Sequence, residues 1–208
     1  MIIQPIQKLV TFDEFVDFLQ TQPDNICYEL YNGEIVQVPQ PKGKHEEIIA
    51  FLVTVLVSEF IRLKLKYGIS NKGLVKAENK LSGYFPDILV LNIPNLVNEP
   101  CWNEESIVSN PDSIPLVIEV VSTNWRDDYY KKLADYEEMG IQEYWIVDYA
   151  ALGGKELIGD PKQPTITIYS LSDDGEYRSK QFRGTDCIFS HLFPDLNLTA
   201  EQIFTARF

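Results

Sequence analysis

Two apolar segments of this chain each carry one carboxylate where a neutral side chain would be expected. They are Phe85-Pro86-Asp87-Ile88-Leu89-Val90-Leu91, and Pro115-Leu116-Val117-Ile118-Glu119-Val120-Val121-Ser122. Short runs of Ile, Leu and Val at this length read as buried strands. An ionised carboxylate placed among them costs several kcal/mol or more unless a cation or strong hydrogen-bond donors compensate it. Two such carboxylates brought side by side would repel each other, and a divalent cation is the simplest partner that makes the arrangement favourable.

The elements around these segments follow from periodicity and turn chemistry. Thr11 reads as an N-cap with Glu14 completing a capping box, ahead of Phe12, Phe15, Val16 and Leu19 at helical spacing. Tyr28 to Tyr31, Asn32-Gly33 and Glu34 to Val38 form a hairpin signal. After a loop at Pro39, Pro41 and Gly43, His45 is expected to open a long amphipathic helix to about Lys66, ended by Tyr67-Gly68. A strand from Ser70 to Lys76, a turn at Ser82-Gly83 and the Asp87 strand follow. The stretch from Ile93 to Ile114 reads as a long loop, which in a compact domain is often functional or packed on a partner.

Beyond the Glu119 strand, a helix from about Asp127 to Met139 stops at Gly140, and a strand runs from Ile141 to Tyr149. This βαβ unit has Ser122-Thr123-Asn124 as the turn leaving its first strand, the end at which open α/β sheets place ligands. Strands at Thr165 to Ser170 and Tyr177 to Arg183 and a short helix near Thr199 to Phe204 complete a mixed sheet flanked by helices. The length of 208 residues suits one domain over 1–208.

Composition excludes several classes. No apolar run approaches the roughly 20 residues of a membrane span. Met1 to Val10 lacks a signal-peptide pattern, so a cytoplasmic protein is expected. Cys27, Cys101 and Cys187 are odd in number and widely spaced, and read as small apolar residues with neither a zinc knuckle nor a disulfide framework. The net charge of −13 runs against nucleic-acid binding, which usually draws on a basic surplus. Arg62, Lys64 and Lys66, with Lys72 and Lys76, are the best candidate phosphate patch. Asp127 and Asp128 suit the macrodipole at a helix start.

One lysine stands out on the helix after Glu119. At about 100° per residue, Tyr129, Leu133, Tyr136 and Met139 define an apolar face. Lys132 falls on that face, between Tyr136 and Met139, whereas Lys131 turns toward solvent. An ammonium held against a sheet needs an anionic neighbour.

These residues carry a resemblance. Pro86-Asp87, Glu119-Val120-Val121-Ser122, Lys132-Leu133-Ala134-Asp135-Tyr136 and Gly140-Ile141-Gln142-Glu143-Tyr144-Trp145-Ile146-Val147-Asp148 resemble the Uma-two family of restriction-endonuclease-like proteins, in the PD-(D/E)xK nuclease superfamily. Tyr28-Glu29-Leu30, Gly33 to Val36 and His45 extend the likeness, so that it covers about 28–148. The usual lysine of the superfamily lies two residues after the acid. Here that position is Val121, and Lys132 on the next helix is the matching residue.

The resemblance implies a restriction-endonuclease-like central sheet with an extra N-terminal hairpin and C-terminal strands. It implies an endonuclease that hydrolyses DNA with Mg2+ or Mn2+ held by Asp87, Glu119 and the Val120 backbone carbonyl, with Lys132 as the third catalytic group. Glu34 and His45 are expected to support the metal site, and Glu46 less so. DNA as partner and a homodimer follow by analogy. The other reading is a non-catalytic binding or assembly protein that keeps the fold, which the acidic balance favours.

Overall fold

A computed structural model describes residues 9–23, 25–40, 42–77 and 81–207. Pro41 of the expected loop and most of the Met1 to Val10 stretch lie outside them. The first half contains α1 (Phe12–Gln20), β1 (Cys27–Tyr31), β2 (Glu34–Val38), α2 (Gly43–Leu63), β3 (Tyr67–Ser70), β4 (Leu74–Ala77), β5 (Ser82–Tyr84) and β6 (Ile88–Asn92). The second half contains α3 (Trp102–Glu105), β7 (Ile107–Val108), β8 (Leu116–Val120), α4 (Leu133–Met139), β9 (Glu143–Asp148), α5 (Lys155–Ile158), β10 (Thr165–Leu171), β11 (Tyr177–Phe182) and α6 (Ala200–Phe204).

Local chemistry sets several of these boundaries. The capping box forms, with Glu14 N–H donating to Thr11 Oγ1 at 3.2 Å and Thr11 N–H donating to Glu14 Oε2 at 2.9 Å. Asn32 and Gly33 both take positive φ (48° and 81°), the pair of conformations a type I′ hairpin turn needs. Thr199 and Gln202 repeat the capping box ahead of α6.

Other boundaries differ from expectation. α2 begins at Gly43, two residues before His45, and stops at Leu63, where Lys64 adopts a left-handed conformation (φ 55°). Tyr67-Gly68 therefore starts a strand instead of ending a helix, and the expected strand from Ser70 to Lys76 divides into β3 and β4, which belong to different sheets. Ser82-Gly83 is strand β5, because Leu30 of β1 pairs with Gly83 and Lys76 of β4 pairs with it from the other side. The stretch 93–114 is built from short helical turns, α3 and β7. The cysteines are free and exposed rather than buried.

A six-stranded sheet has the order β11-β10-β9-β8-β6-β3, and a five-stranded sheet the order β2-β1-β5-β4-β7. In the larger sheet only β8 and β9 run parallel, as a βαβ crossover demands. The N-terminal hairpin is thus not an appendage of the central sheet. It is the outer half of a second one.

Strand alternation divides the interior. Ile118 and Val120 of β8, with Trp145 and Val147 of β9, point to one face, where Ile48, Leu52, Leu56 and Phe60 of α2 cover them together with α6. Val117 and Val121, with Tyr144 and Ile146, point to the other face, against Val75, Ala77 and Tyr84 of the second sheet and Tyr136 and Met139 of α4. Glu119 has the parity of that second face. It is buried between the large sheet, the small sheet and α4.

Leu52 is fully buried on the sheet-facing side of α2, whereas Ile61 is 74% exposed. Leu52→Ala is expected to cost about 2–5 kcal/mol, and Ile61→Ala to stay within about 0.5 kcal/mol. Urea unfolding of the two variants checks this, and similar losses would contradict the assigned faces.

Candidate active site

β6 and β8 pair with Ile88 opposite Ile118. One rung further along the same antiparallel ladder, Asp87 stands opposite Glu119. Asp87 sits just before β6, not inside it, because Pro86 cannot donate to the ladder. At that fraying end the Asp87 side chain takes over as acceptor: Val120 N–H donates to Asp87 Oδ2 at 2.7 Å. His45, in the first turn of α2, brings Nε2 within 3.2 Å of the same oxygen. Burial alone would lower the His45 pKa, but its hydrogen bond and charge interaction with Asp87 and a hydrogen bond to the Val120 backbone outweigh that and raise it.

Lys132 is where the anions converge. Its Nζ lies 3.0 Å from Glu119 Oε1, 3.0 Å from Glu29 Oε1 and 3.7 Å from Asp128 Oδ1. Glu119 comes from the large sheet, Glu29 from the small sheet, and Asp128 from one turn back on the lysine's own helix. Lys132 is buried, and burial by itself would lower its pKa; Glu119, Glu29 and Asp128 together push it well up. The same burial raises Glu119 well above the carboxylate range, opposed by Lys132 and reinforced by Asp87. One ammonium cannot neutralise this many acids, and Asp128 is pushed up to about 7, chiefly by burial. Tyr136 donates to Glu119 Oε1 at 3.5 Å, and Tyr84 packs its ring 5.7 Å from the lysine while donating to Asp135.

The residues Asp127–Lys132 form a π-helical stretch that continues into α4. Such stretches are rare and concentrate at functional sites. Here the wider turn carries Asp128 and Lys132 to the sheet together while Lys131 faces outward, 2.7 Å from Asp127.

These groups line one cavity of about 520 Å³, bounded by β1, the start of α2, the end of β8 and the π-helical stretch. Asp87, Glu119, Val120, Lys132 and His45 all line it, and so does Glu46. Glu34 does not: it pairs with Tyr31 at the turn end of the hairpin and is exposed. Glu29, two residues down the partner strand from Tyr31 and on the same face, occupies the place within reach. Glu29 also accepts from Phe85 N–H at 3.2 Å, which ties the segment leading into Asp87 to the lysine cluster. Asp128, read from sequence as an acid suited to the macrodipole at a helix start, is buried beside Lys132; the i,i+4 spacing was the signal for it.

None of Arg62, Lys64, Lys66, Lys72 and Lys76 of the candidate phosphate patch is among the residues lining this cavity, although Lys72 follows Asn71, which is. Arg62 is held by Glu59 at 2.6 Å and by the Pro194 carbonyl at 2.7 Å, and Lys76 lies over the Phe12 ring.

Among the described residues no three His, Cys, Asp or Glu side chains close into a ready-made metal cage. Asp87, Glu119 and Val120 line the cavity together, and their carboxylate and backbone oxygens could serve as an open, incomplete ligand set. That suits Mg2+, which keeps several waters and is usually held by one or two carboxylates plus substrate phosphate. The surplus of acids over cations in the cavity also fits a cation as the missing charge.

A family model described as "Putative restriction endonuclease", Uma2, matches residues 12–201. The chain belongs to the Uma2 family. Among solved structures, a crystal structure described as "a putative nuclease belonging to DUF820" from Anabaena variabilis is similar, with a TM-score of 0.70 at 20% identity over 94% of this chain and 98% of that one. At this identity the likeness is one of fold. The search of curated proteins gives no match. No helix among the described residues of this Uma2 protein is long and apolar enough to cross a membrane.

Removing the ammonium leaves buried acids facing one another, so in metal-free buffer Lys132→Ala is expected to lose about 3–5 kcal/mol near neutral pH. Asp128 has its pKa raised from 3.8 to about 7 by folding, so between those values the folded state binds more protons and stability falls as pH rises. Without Lys132 the shift grows, and the deficit shrinks as pH is lowered through that window. Urea unfolding against pH reads this; a pH-independent deficit would contradict the cluster.

Proposed function

We propose that this chain is a metal-dependent nuclease that hydrolyses DNA phosphodiester bonds. The observation that carries the reading is the buried Lys132 ammonium, gripped by Glu29, Glu119 and Asp128, in the same open cavity as Asp87. A fold supported only for its stability gains little from concentrating acids and a lysine at one cavity wall.

Asp87 and Glu119 are the residues that would hold Mg2+ or Mn2+, with the Val120 carbonyl beside them. A bound divalent ion supplies Lewis-acid polarisation of the phosphate and a lowered pKa for attacking water. The protein's own groups do the rest. His45 and the Val120 N–H fix Asp87 Oδ2, so that Oδ1 is the oxygen that would meet the ion. Lys132 is a preorganised donor: it orients the attacking water or a phosphate oxygen and stabilises the charge that develops as the bond breaks. Its three carboxylate partners keep it charged, so its role is electrostatic, not that of a base. Glu29 positions it from the second sheet.

A non-catalytic binding or assembly role is the second reading. The net charge of −13 favours it, because an acidic surface repels the DNA backbone. Among the described residues each chain carries one such cluster, so cutting both strands of a duplex in one encounter calls for a homodimer.

Incubation of supercoiled plasmid with the protein and Mg2+ or Mn2+ separates the readings. The wild type is expected to nick, with Asp87→Ala, Glu119→Gln and Lys132→Ala each slower by roughly 100-fold or more. Glu29→Gln is expected to lose about tenfold, since it only weakens the grip on Lys132. No nicking by the wild type, or equal nicking by all five proteins, would overturn the catalytic reading.

A further inference from the structure

The cavity wall is acidic, with Glu29, Asp87, Glu119 and Asp128 facing Lys132 and His45. A polyanion entering it needs positive charge at the mouth. The lining includes Val38 and Pro39, which come shortly before Lys42 in the chain, the N-cap of α2, which uses no side-chain cap. It also includes Ser122 and Asn124, after which the chain continues directly into Trp125 and Arg126. Lys42 and Arg126 are both exposed, and neither makes an ion pair among the described residues. They contrast with Arg62, Lys131 and Arg178, each of which is spent on a neighbouring carboxylate.

Arg126 is not simply a solvated charge. Its guanidinium lies 4.3 Å from the centre of the Trp125 ring. Trp125 in turn leans on Tyr129 and Tyr130, with both ring centres 6.3 Å away. Tyr129 is buried, which anchors the group to the core, while Tyr130 is 48% exposed. The result is an aromatic ledge carrying one guanidinium, with the Tyr129 and Tyr130 rings inclined at 75° and 48° to Trp125, on the segment that directly follows the cavity lining. Stacking on aromatic rings and on guanidinium planes is how proteins hold unpaired bases, and it is available to any base because every base has a π-face. A base in a duplex is stacked on its neighbours and cannot use the ledge without being extruded first.

We propose that Trp125, Arg126 and Tyr130 form a nucleobase-stacking site for an unpaired nucleotide next to the scissile phosphate, with Lys42 taking the backbone. This rests on the nuclease reading and narrows its substrate to single-stranded DNA or to unpaired positions within a duplex. Positive charge is scarce in this chain, and the ledge puts it where stacking adds affinity that charge alone cannot supply.

The test is a titration of the protein with a fluorescein-labelled single-stranded oligonucleotide and with the same sequence as a duplex, read by anisotropy and by tryptophan fluorescence, alongside cleavage of both. The wild type is expected to bind the single strand at least tenfold more tightly and to show tryptophan quenching. Arg126→Ala, an exposed change with little effect on folding, is expected to weaken single-strand binding about tenfold. Trp125→Phe, which keeps the packing, is expected to abolish most of the quenching with a smaller loss of affinity. Equal binding of single strand and duplex, or variants that bind and quench like the wild type, would overturn the stacking site. If the wild type still cleaves DNA in that case, the nuclease reading stands without it. Binding with the expected pattern but no cleavage supports the ledge and removes the catalysis. Absence of any DNA binding overturns both.

Discussion

The structure turns on one ammonium placed among acids from three directions. Lys132 touches the large sheet through Glu119, the small sheet through Glu29 and its own helix through Asp128. Buried pairs of this kind are weak contributors to stability, because desolvation offsets the attraction. Their strength lies in geometry. Breaking any one contact leaves an uncompensated charge, so the two sheets and the helix are held in one arrangement and the cavity they bound is preorganised. Asp87 is fixed to the same frame twice, by the Val120 N–H and His45 at its carboxylate and by Glu29 through the Phe85 N–H.

The local rules of the chain were readable. The capping box at Thr11, the Asn32-Gly33 turn, the C-cap at Gly140 and the parity of β8 all follow from neighbouring residues, and all are present. Lys132 was reached with a wheel of about 100° per residue, although the segment before it is π-helical. The reason is its place at the end of that stretch: its phase relative to Tyr136 and Met139 is set by α4, which is an ordinary α-helix. The relation to Tyr129 crosses the π turn and is not the one the wheel assumed.

What was not legible depends on non-local pairing. β4, β5 and β7 are two to four residues long, and they become strands only because β1 and one another supply partners. Without that second sheet there was no way to see that Glu29 faces Lys132, so Glu34 beside the turn was named as a candidate and Glu29 was not. The two are on adjacent strands of the hairpin and share one face of the sheet. Distance from the turn decides between them, and only Glu29 lies over the cavity. Asp128 was visible in principle, four residues before Lys132, but an acid at the start of a helix already has a sufficient explanation in the helix dipole.

An acidic chain at −13 and a polyanionic substrate are compatible if charge is managed locally. Inside the cavity the surplus of carboxylates favours a divalent cation over phosphate, and a bound cation would invert the local potential. The most direct measurement is Mn2+ binding followed by electron paramagnetic resonance, which needs no substrate. One Mn2+ per chain is expected for the wild type and for Glu34→Ala, with binding lost in Asp87→Ala and in Glu119→Ala. Equal Mn2+ binding by all four proteins, or none by the wild type, would contradict a metal site built on Asp87 and Glu119.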